Sequence, residues 1–174
     1  DLVRVDAALE DAFLAVFSGR AENDAFNRLV LAAECDWREA AMLRACAGYM
    51  RQIGLPHGPR YIAETLVKHA DRARDLVRLF KLRLDPGSPL DDAERNRREL
   101  DWRTAFEGAL ASVESLNEDR ILRSLASLVS ATVRTNYFMC DEHGRVPQTI
   151  AFKLATRDIA DAPAPRPFRE IWVS

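Results

Sequence analysis

Apolar residues recur at helical spacing along most of this chain, and the pattern changes only near its end. Leu2, Val5, Leu9, Phe13, Val16 and Phe17 share one face of a first predicted helix, which Gly19 ends. A second, short helix turns Phe26, Leu29, Val30 and Ala33 inward. Asp36-Trp37-Arg38-Glu39 then has capping-box spacing, with Asp36 as N-cap and Glu39 reaching back from the third position. The helix it opens offers Met42, Ala45, Cys46, Tyr49, Met50 and Ile53 to a core, and Gly54 suits a left-handed C-terminal cap. Tyr61, Ile62, Leu66 and Val67 define a short helix after Pro59, and Ala73, Leu76, Val77, Phe80 and Leu84 define the next.

Asp85-Pro86-Gly87-Ser88-Pro89 is the strongest breaker in the sequence and marks an internal boundary. Residues 91–98 are almost wholly polar, after which Trp102, Phe106, Ala109, Leu110 and Val113 turn apolar. Asn117 is the expected cap of the last clear helix, striped by Ile121, Leu122, Leu125, Leu128, Val129 and Val133. Helical periodicity carries to about Asn136, where a left-handed C-cap is expected before Tyr137 and Phe138. The tail alternates instead: 149–154 and 168–173 read as strands, joined by the extended Ala162-Pro163-Ala164-Pro165-Arg166-Pro167. The expected fold is mainly α, a multi-helix bundle-like region with a short β tail at the C-terminus. Its parts are a helical subdomain of about five helices over 1–85, a second helical pair over 86–139 and an extended tail over 140–174. There is no repeat of fixed period, which argues against a solenoid.

Composition narrows the function classes. Hydrophobic residues at 48% and charged residues at 30% are those of a globular chain, and a net charge of −2 excludes a general affinity for nucleic acid. No run reaches the length of a membrane span, and the first residues lack the basic start and apolar stretch of a secretory signal. Three cysteines at irregular spacing, Cys35, Cys46 and Cys140, are not a disulfide framework and point to a reducing cytoplasm. A start without Met and an end at Ile171-Trp172-Val173-Ser174, like a strand cut in mid-sheet, suggest a segment of something longer.

The candidate chemistry is thin. Cys140 and His143 have the spacing of half a zinc site, but Cys35, Cys46, His57 and His69 supply no matching pair. His69 could work with Glu64 or Asp71 in acid–base chemistry, although a histidine near a helix end more often caps carbonyls or faces water. Cys46 lies on an apolar stripe, where a thiol acts as a small core residue. Arg95, Arg97 and Arg98 are surrounded by Asp91, Asp92, Glu94, Glu99 and Asp101, the composition of a solvated helix face. With seven glycines and neither a phosphate loop nor a nucleophile elbow, no catalytic, cofactor-binding or metal residue is assigned.

Several strings, in order, resemble the large bacterial NAD-specific glutamate dehydrogenases. They are Phe26-Asn27-Arg28-Leu29-Val30-Leu31, Asp36-Trp37-Arg38-Glu39, Leu43-Arg44-Ala45 through Tyr49-Met50-Arg51-Gln52-Ile53-Gly54, Tyr61-Ile62, Leu79-Phe80 with Asp85-Pro86, and Leu116-Asn117-Glu118-Asp119-Arg120-Ile121-Leu122-Arg123. Arg134-Thr135-Asn136-Tyr137-Phe138, Ile150-Ala151-Phe152-Lys153-Leu154 and Pro165-Arg166-Pro167 leading to Glu170-Ile171 complete the series. Glu34-Cys35 departs from a Gly-Leu-like pair expected there, and 139–147 is a variable link. The resemblance implies the helical stretch just before a catalytic domain, with the tail as that domain's first strands. It further implies a parent enzyme that oxidises L-glutamate to 2-oxoglutarate and ammonia with NAD, its catalytic lysine and glycine-rich turn lying beyond Ser174. The segment itself would hold no cofactor. Its partners would be the catalytic and regulatory domains of the same polypeptide, in a homo-oligomer, with open apolar surface around Trp102, Trp172 and the last strand. The rival readings are a free-standing helical adaptor that binds a partner helix in an apolar groove, and a small metalloenzyme built on Cys140 and His143.

Overall fold

The computed structural model describes residues 2–174, with side chains from Asp6 onward. The elements run α1 (Leu2–Phe17), a 3-10 turn (Ala25–Arg28) leading into α2 (Leu29–Ala32), α3 (Trp37–Gln52), α4 (Pro59–Lys68), α5 (Ala70–Leu84), α6 (Asp92–Leu110) and α7 (Leu116–Ala131). Three short strands follow: β1 (Thr132–Thr135), β2 (Ala151–Leu154) and β3 (Glu170–Val173). The chain is thus mainly α with a small antiparallel sheet near its C-terminus, in the order β1-β2-β3.

Local chemistry accounts for the helix ends. Asp36 accepts the Glu39 N–H at 2.8 Å while Glu39 accepts the Asp36 N–H at 2.8 Å, a reciprocal capping box. At the other end of α3, Gly54 has φ of 107° and its N–H donates to Arg51, while Leu55 N–H donates to Met50. This is a Schellman closure that a side chain at position 54 would strain. Pro59 opens α4 at a position where a missing N–H costs nothing. The N-cap of α7 is Ser115, whose hydroxyl accepts from Glu118 N–H; Asn117, the expected cap, lies inside the helix. Ser115 and Glu118 have the S-x-x-E spacing that marks the true start.

Helix α3 is the centre of the core, burying Ala40, Met42, Leu43, Ala45, Cys46, Ala47, Tyr49 and Met50. Helices α4, α5 and α7 pack around it through Ile62, Leu66, Leu76, Phe80, Leu122 and Leu125, all essentially inaccessible. Helix α6 joins across the Pro-Gly boundary by specific bonds. Arg95 donates to the carbonyls of Leu82 and Arg83, both at 3.1 Å, which satisfies the open end of α5. The Trp102 indole donates to the Asp75 carbonyl at 2.9 Å and its ring stacks on Phe106.

Four expectations are corrected. Helix α1 forms, but the faces it buries are those of Ala12 and Ala15, whereas Phe13 and Phe17 are 67% and 84% exposed and Leu9 is also open. The small residues let α1 lie close, and the large ones point away; Leu2 and Val5 fall outside the described side chains. Tyr61, placed in the core by periodicity, is exposed at the edge of α4. Helix α7 stops at Ala131, so Val133 is an exposed strand residue rather than the end of the apolar stripe. The Ala131 carbonyl is taken by Ala155 N–H at 2.9 Å, and the β-branched Thr132 and Val133 enter the sheet. Asn136 is not a left-handed cap; Glu34 is the non-glycine residue with positive φ among those described.

Phe152 of β2 is fully buried and meets Phe80 of α5 edge-on at 6.0 Å between centroids. Phe152→Ala is expected to lower unfolding free energy by about 3–5 kcal/mol, whereas Asp36→Ala, which removes the cap of α3, should cost about 1 kcal/mol. Denaturant unfolding followed by circular dichroism checks both, and equal losses would contradict the placement of the core.

Candidate docking surface

The sheet has two unlike faces, and its inner face is fixed to the helices by named bonds. Trp172 of β3 donates its indole N–H to the Ala45 carbonyl of α3 at 3.2 Å and meets Tyr49 edge-on at 5.8 Å. The Tyr49 hydroxyl donates to Glu170 Oε2 at 2.9 Å. Burial, and then the adjacent Glu170, push the Tyr49 hydroxyl well above its ordinary pKa, so it stays a proton donor. In the first turn of α3, Arg38 donates to the Tyr137 carbonyl at 2.7 Å and its guanidinium lies 4.5 Å from the Tyr137 ring centroid. Phe80 gathers Tyr137, Phe138 and Phe152 around one ring.

Asn136 extends the ladder beyond the strands. Its side-chain oxygen accepts from Ala151 N–H at 2.8 Å and its amide donates to the Thr149 carbonyl at 2.9 Å, as a backbone peptide would. That is why an asparagine serves here: it presents one donor and one acceptor in a peptide-like plane.

The outer face is different. Leu154 pairs with Glu170, Lys153 with Ile171, Phe152 with Trp172 and Ala151 with Val173. Strand alternation therefore sends Ile171 and Val173 outward with Lys153, opposite to Trp172 and Phe152. Ile171 and Val173 are 69% and 55% exposed. A register shift between Thr132 and Arg134 leaves both Val133 and Arg134 exposed, with Arg134 directly opposite Lys153. Arg157 and Arg169 flank the exposed ring of Phe168, with centroid distances of 5.8 and 4.1 Å. None of these four cations meets a carboxylate within ion-pairing distance among the described residues. The far edge of β3 is unpaired there as well. A strand apolar on both sides is the pattern of a sheet covered on both faces.

The residues singled out for chemistry are scattered. Cys140 and His143 sit in an exposed turn, with His143 Nε2 3.6 Å from Glu142, and the described residues hold no group of three or more metal-ligating side chains. Cys46 is buried, and burial pushes its thiol up to about 12; Cys35 is pushed up likewise by burial and then by Glu39 and Asp36. Neither thiol is poised as a nucleophile. His69 meets neither Glu64 nor Asp71 in the way expected; its Nε2 lies 2.8 Å from Glu118 Oε2, which Lys68 also approaches at 2.8–2.9 Å. Arg97 and Arg98 both pair with Glu94 on the solvated side of α6. Trp102 and Trp172 are half-buried with their indole N–H groups turned inward, whereas the last strand does expose Ile171 and Val173, and Phe13, Phe17, Leu100, Leu116, Met139 and Phe168 are open elsewhere. Sequence reasoning overlooked Tyr49–Glu170, Arg38–Tyr137 and the Arg134–Lys153 opposition. The apolar residues at both phases of Glu170-Ile171-Trp172-Val173 were the available signal. No helix among the described residues is long and apolar enough to cross a membrane.

Comparison with known proteins agrees along the chain. Residues 21–86 match the family described as glutamate dehydrogenase, helical motif 3, and residues 105–174 match that described as bacterial NAD-glutamate dehydrogenase, catalytic domain. The second match begins within α6 and so takes in α7 and all three strands. The chain is 45% identical over 175 residues to an NAD-specific glutamate dehydrogenase of Pseudomonas aeruginosa, covering 99% of this chain and 11% of that protein. It is 42% identical to that of Halomonas elongata, over 94% of this chain and 10% of the relative. With the protein of that name from Mycobacterium tuberculosis the identity is 40%, over the same shares. The chain thus spans about a tenth of the length of these curated relatives.

Two outcomes follow from the charges. Like charges directly opposite on a sheet repel, so Lys153→Glu should stabilise the chain by about 0.2–1 kcal/mol through pairing with Arg134; a thermal shift downward would count against the register. Glu118 is held below the ordinary carboxylate range by His69 first and Lys68 second. Its contribution is present above the unfolded-state carboxylate pKa and is lost as pH falls through the lower folded value. Glu118→Gln should therefore melt below the unmodified chain at pH 7, and the gap should close on acidification towards pH 3.

Proposed function

Because the chain belongs to the family of large NAD-specific glutamate dehydrogenases, we propose that it is a non-catalytic segment of such an enzyme, one that seats the first strands of the catalytic domain on a helical platform. The parent polypeptide would oxidise L-glutamate to 2-oxoglutarate and ammonia with NAD as hydride acceptor. Its setting would be the cytoplasm and its assembly a homo-oligomer. The observation that carries the reading is the two-faced sheet: one face is locked to α3 by Trp172 and Tyr49, and the other is apolar and uncovered at Ile171 and Val173. An exposed apolar patch on a strand with an open edge is a surface for further protein.

The residues present do not fit NAD. A dinucleotide cradle needs a strand, a glycine-rich turn and a helix in succession, so that the pyrophosphate meets backbone N–H groups at a helix N-terminus. The strands here are antiparallel and none of the described ones leads through such a turn into a helix. Hydride transfer would therefore be the work of other parts of the parent. The contribution of these residues is positional: a catalytic sheet fixed at one end by a half-buried, hydrogen-bonded indole and a tyrosine–carboxylate bond has little freedom to tilt.

The test is recovery of the native polypeptide from its source with an antibody against this segment, followed by intact mass and glutamate-dependent NADH formation. A polypeptide many times longer than 174 residues with that activity is the expected result. A native chain of about this size that is inactive with glutamate and NAD would overturn the proposal and favour a helical adaptor.

A further inference from the structure

Helix α1 turns its large apolar side chains to solvent. Ala12 and Ala15 are the residues it buries, while Leu9, Phe13, Leu14 and Phe17 are exposed. Leu9, Phe13 and Phe17 recur every four residues and so form one ridge along the open side. The Phe13 and Phe17 rings stack with 6.2 Å between centroids, which fixes each against the other. A contiguous exposed apolar ridge of this kind marks a contact with further protein.

Charge is distributed along α1 as unevenly as hydrophobicity. Asp6, Glu10 and Asp11 are exposed in its N-terminal part, and none meets a cation within ion-pairing distance among the described residues. At the other end Gly19, with φ of 71°, closes the helix, and the Arg20 N–H donates to the Ala15 carbonyl at 2.8 Å. That turn holds Arg20 beside the C-terminal end of the ridge. Its guanidinium donates to the Ser18 hydroxyl at 2.9 Å and pairs with no carboxylate among the described residues. Asp6 and Glu10 lie on the side of Phe13 and Phe17, since positions three, four and seven apart share a helix face.

One copy of α1 thus carries carboxylates at one end of an apolar ridge and an uncompensated guanidinium at the other. Such a surface complements itself when rotated by half a turn, the condition for a two-fold interface. We propose that α1 pairs antiparallel with α1 of a second copy of this chain. With Phe13 on the two-fold axis, Leu9 of each copy faces Phe17 of the other. Asp6 and Glu10 then lie over the end where the second copy's Arg20 stands. A parallel pair would set carboxylates against carboxylates, a juxtaposition that disfavours it. Two ridges with their charged margins cover on the order of 1,000 Å², the size at which specific interfaces begin. The pairing names a contact surface for the homo-oligomer proposed above and rests on that reading only for its setting in the parent.

The chain has a core of its own, so the test uses it as it stands. Sedimentation velocity from micromolar to near-millimolar concentration is expected to show a reversible monomer–dimer equilibrium. Phe13→Ser combined with Phe17→Ser should weaken the dimer at least tenfold while the circular dichroism spectrum stays unchanged. At low salt, Asp6→Arg and Arg20→Asp should each weaken it, and a chain carrying both should regain most of the lost affinity. A chain that stays monomeric at near-millimolar concentration would overturn the proposal and leave the ridge to another part of the parent polypeptide. So would a dimer indifferent to Phe13 and Phe17, or a double charge exchange that restores nothing. These results are separate from the native mass and NADH formation that test the segment reading.

Discussion

The close approach of β3 to α3 is the constraint on which the rest of the arrangement depends. Trp172 lies over a part of α3 where the helix offers Ala45 and Gly48, and a Cβ on Gly48 would stand 3.4 Å from the indole Cζ2. Glycine inside a helix costs about 1 kcal/mol relative to alanine. The cost is offset by what the gap admits: an indole whose N–H reaches the Ala45 carbonyl and whose ring edge meets Tyr49. Once Trp172 is seated, Glu170 falls within reach of the Tyr49 hydroxyl and Phe152, its cross-strand partner, turns towards Phe80. Three four-residue strands would not hold together alone in water. They hold here because the helices supply one complete face.

That dependence explains what could be read from the sequence and what could not. Helices with strong apolar stripes were legible, α3, α5 and α7 above all, because their period is set by local geometry and their burial follows it. Capping chemistry was legible at Asp36 and Gly54, where the signal lies within a few residues. The start of β1 was not. Val133 continues the helical stripe of α7 in sequence, and only the competition of Ala155 for the Ala131 carbonyl, 24 residues along, converts that stretch into strand. Propensity is overridden by pairing there. Helix α1 failed in the opposite sense: its period is helical and its helix forms, yet the apolar residues that set the period, Phe13 and Phe17, face outward. Period alone fixes the type of element and leaves its partner undetermined.

The candidate surfaces were hidden for a related reason. Such a face is made by residues far apart in sequence: Lys153 meets Arg134 through strand register, and Trp172 meets Ala45 and Tyr49 through the seating of the sheet on α3. No spacing rule encodes either. What the sequence did carry was a negative, since it lacks the short motifs that catalysis on phosphates or acyl groups needs.

The distribution of charge completes the argument for an incomplete surface. On α5, α6 and α7, arginines pair with acids at helical spacing, as Arg72 does with Asp75, Arg98 with Glu94 and Arg123 with Asp119. Such pairs need nothing outside the helix, and each is worth little in water. On the sheet's outer face Arg134 and Lys153 stand unpaired beside Ile171 and Val173. Repulsion between Arg134 and Lys153 and the exposure of the apolar Ile171 and Val173 both disfavour that face in water. One covering element, apolar along its centre and acidic at its margin, relieves both at once. Those two features support the proposed seating of further protein on this face, and they set the chemistry such a cover would have.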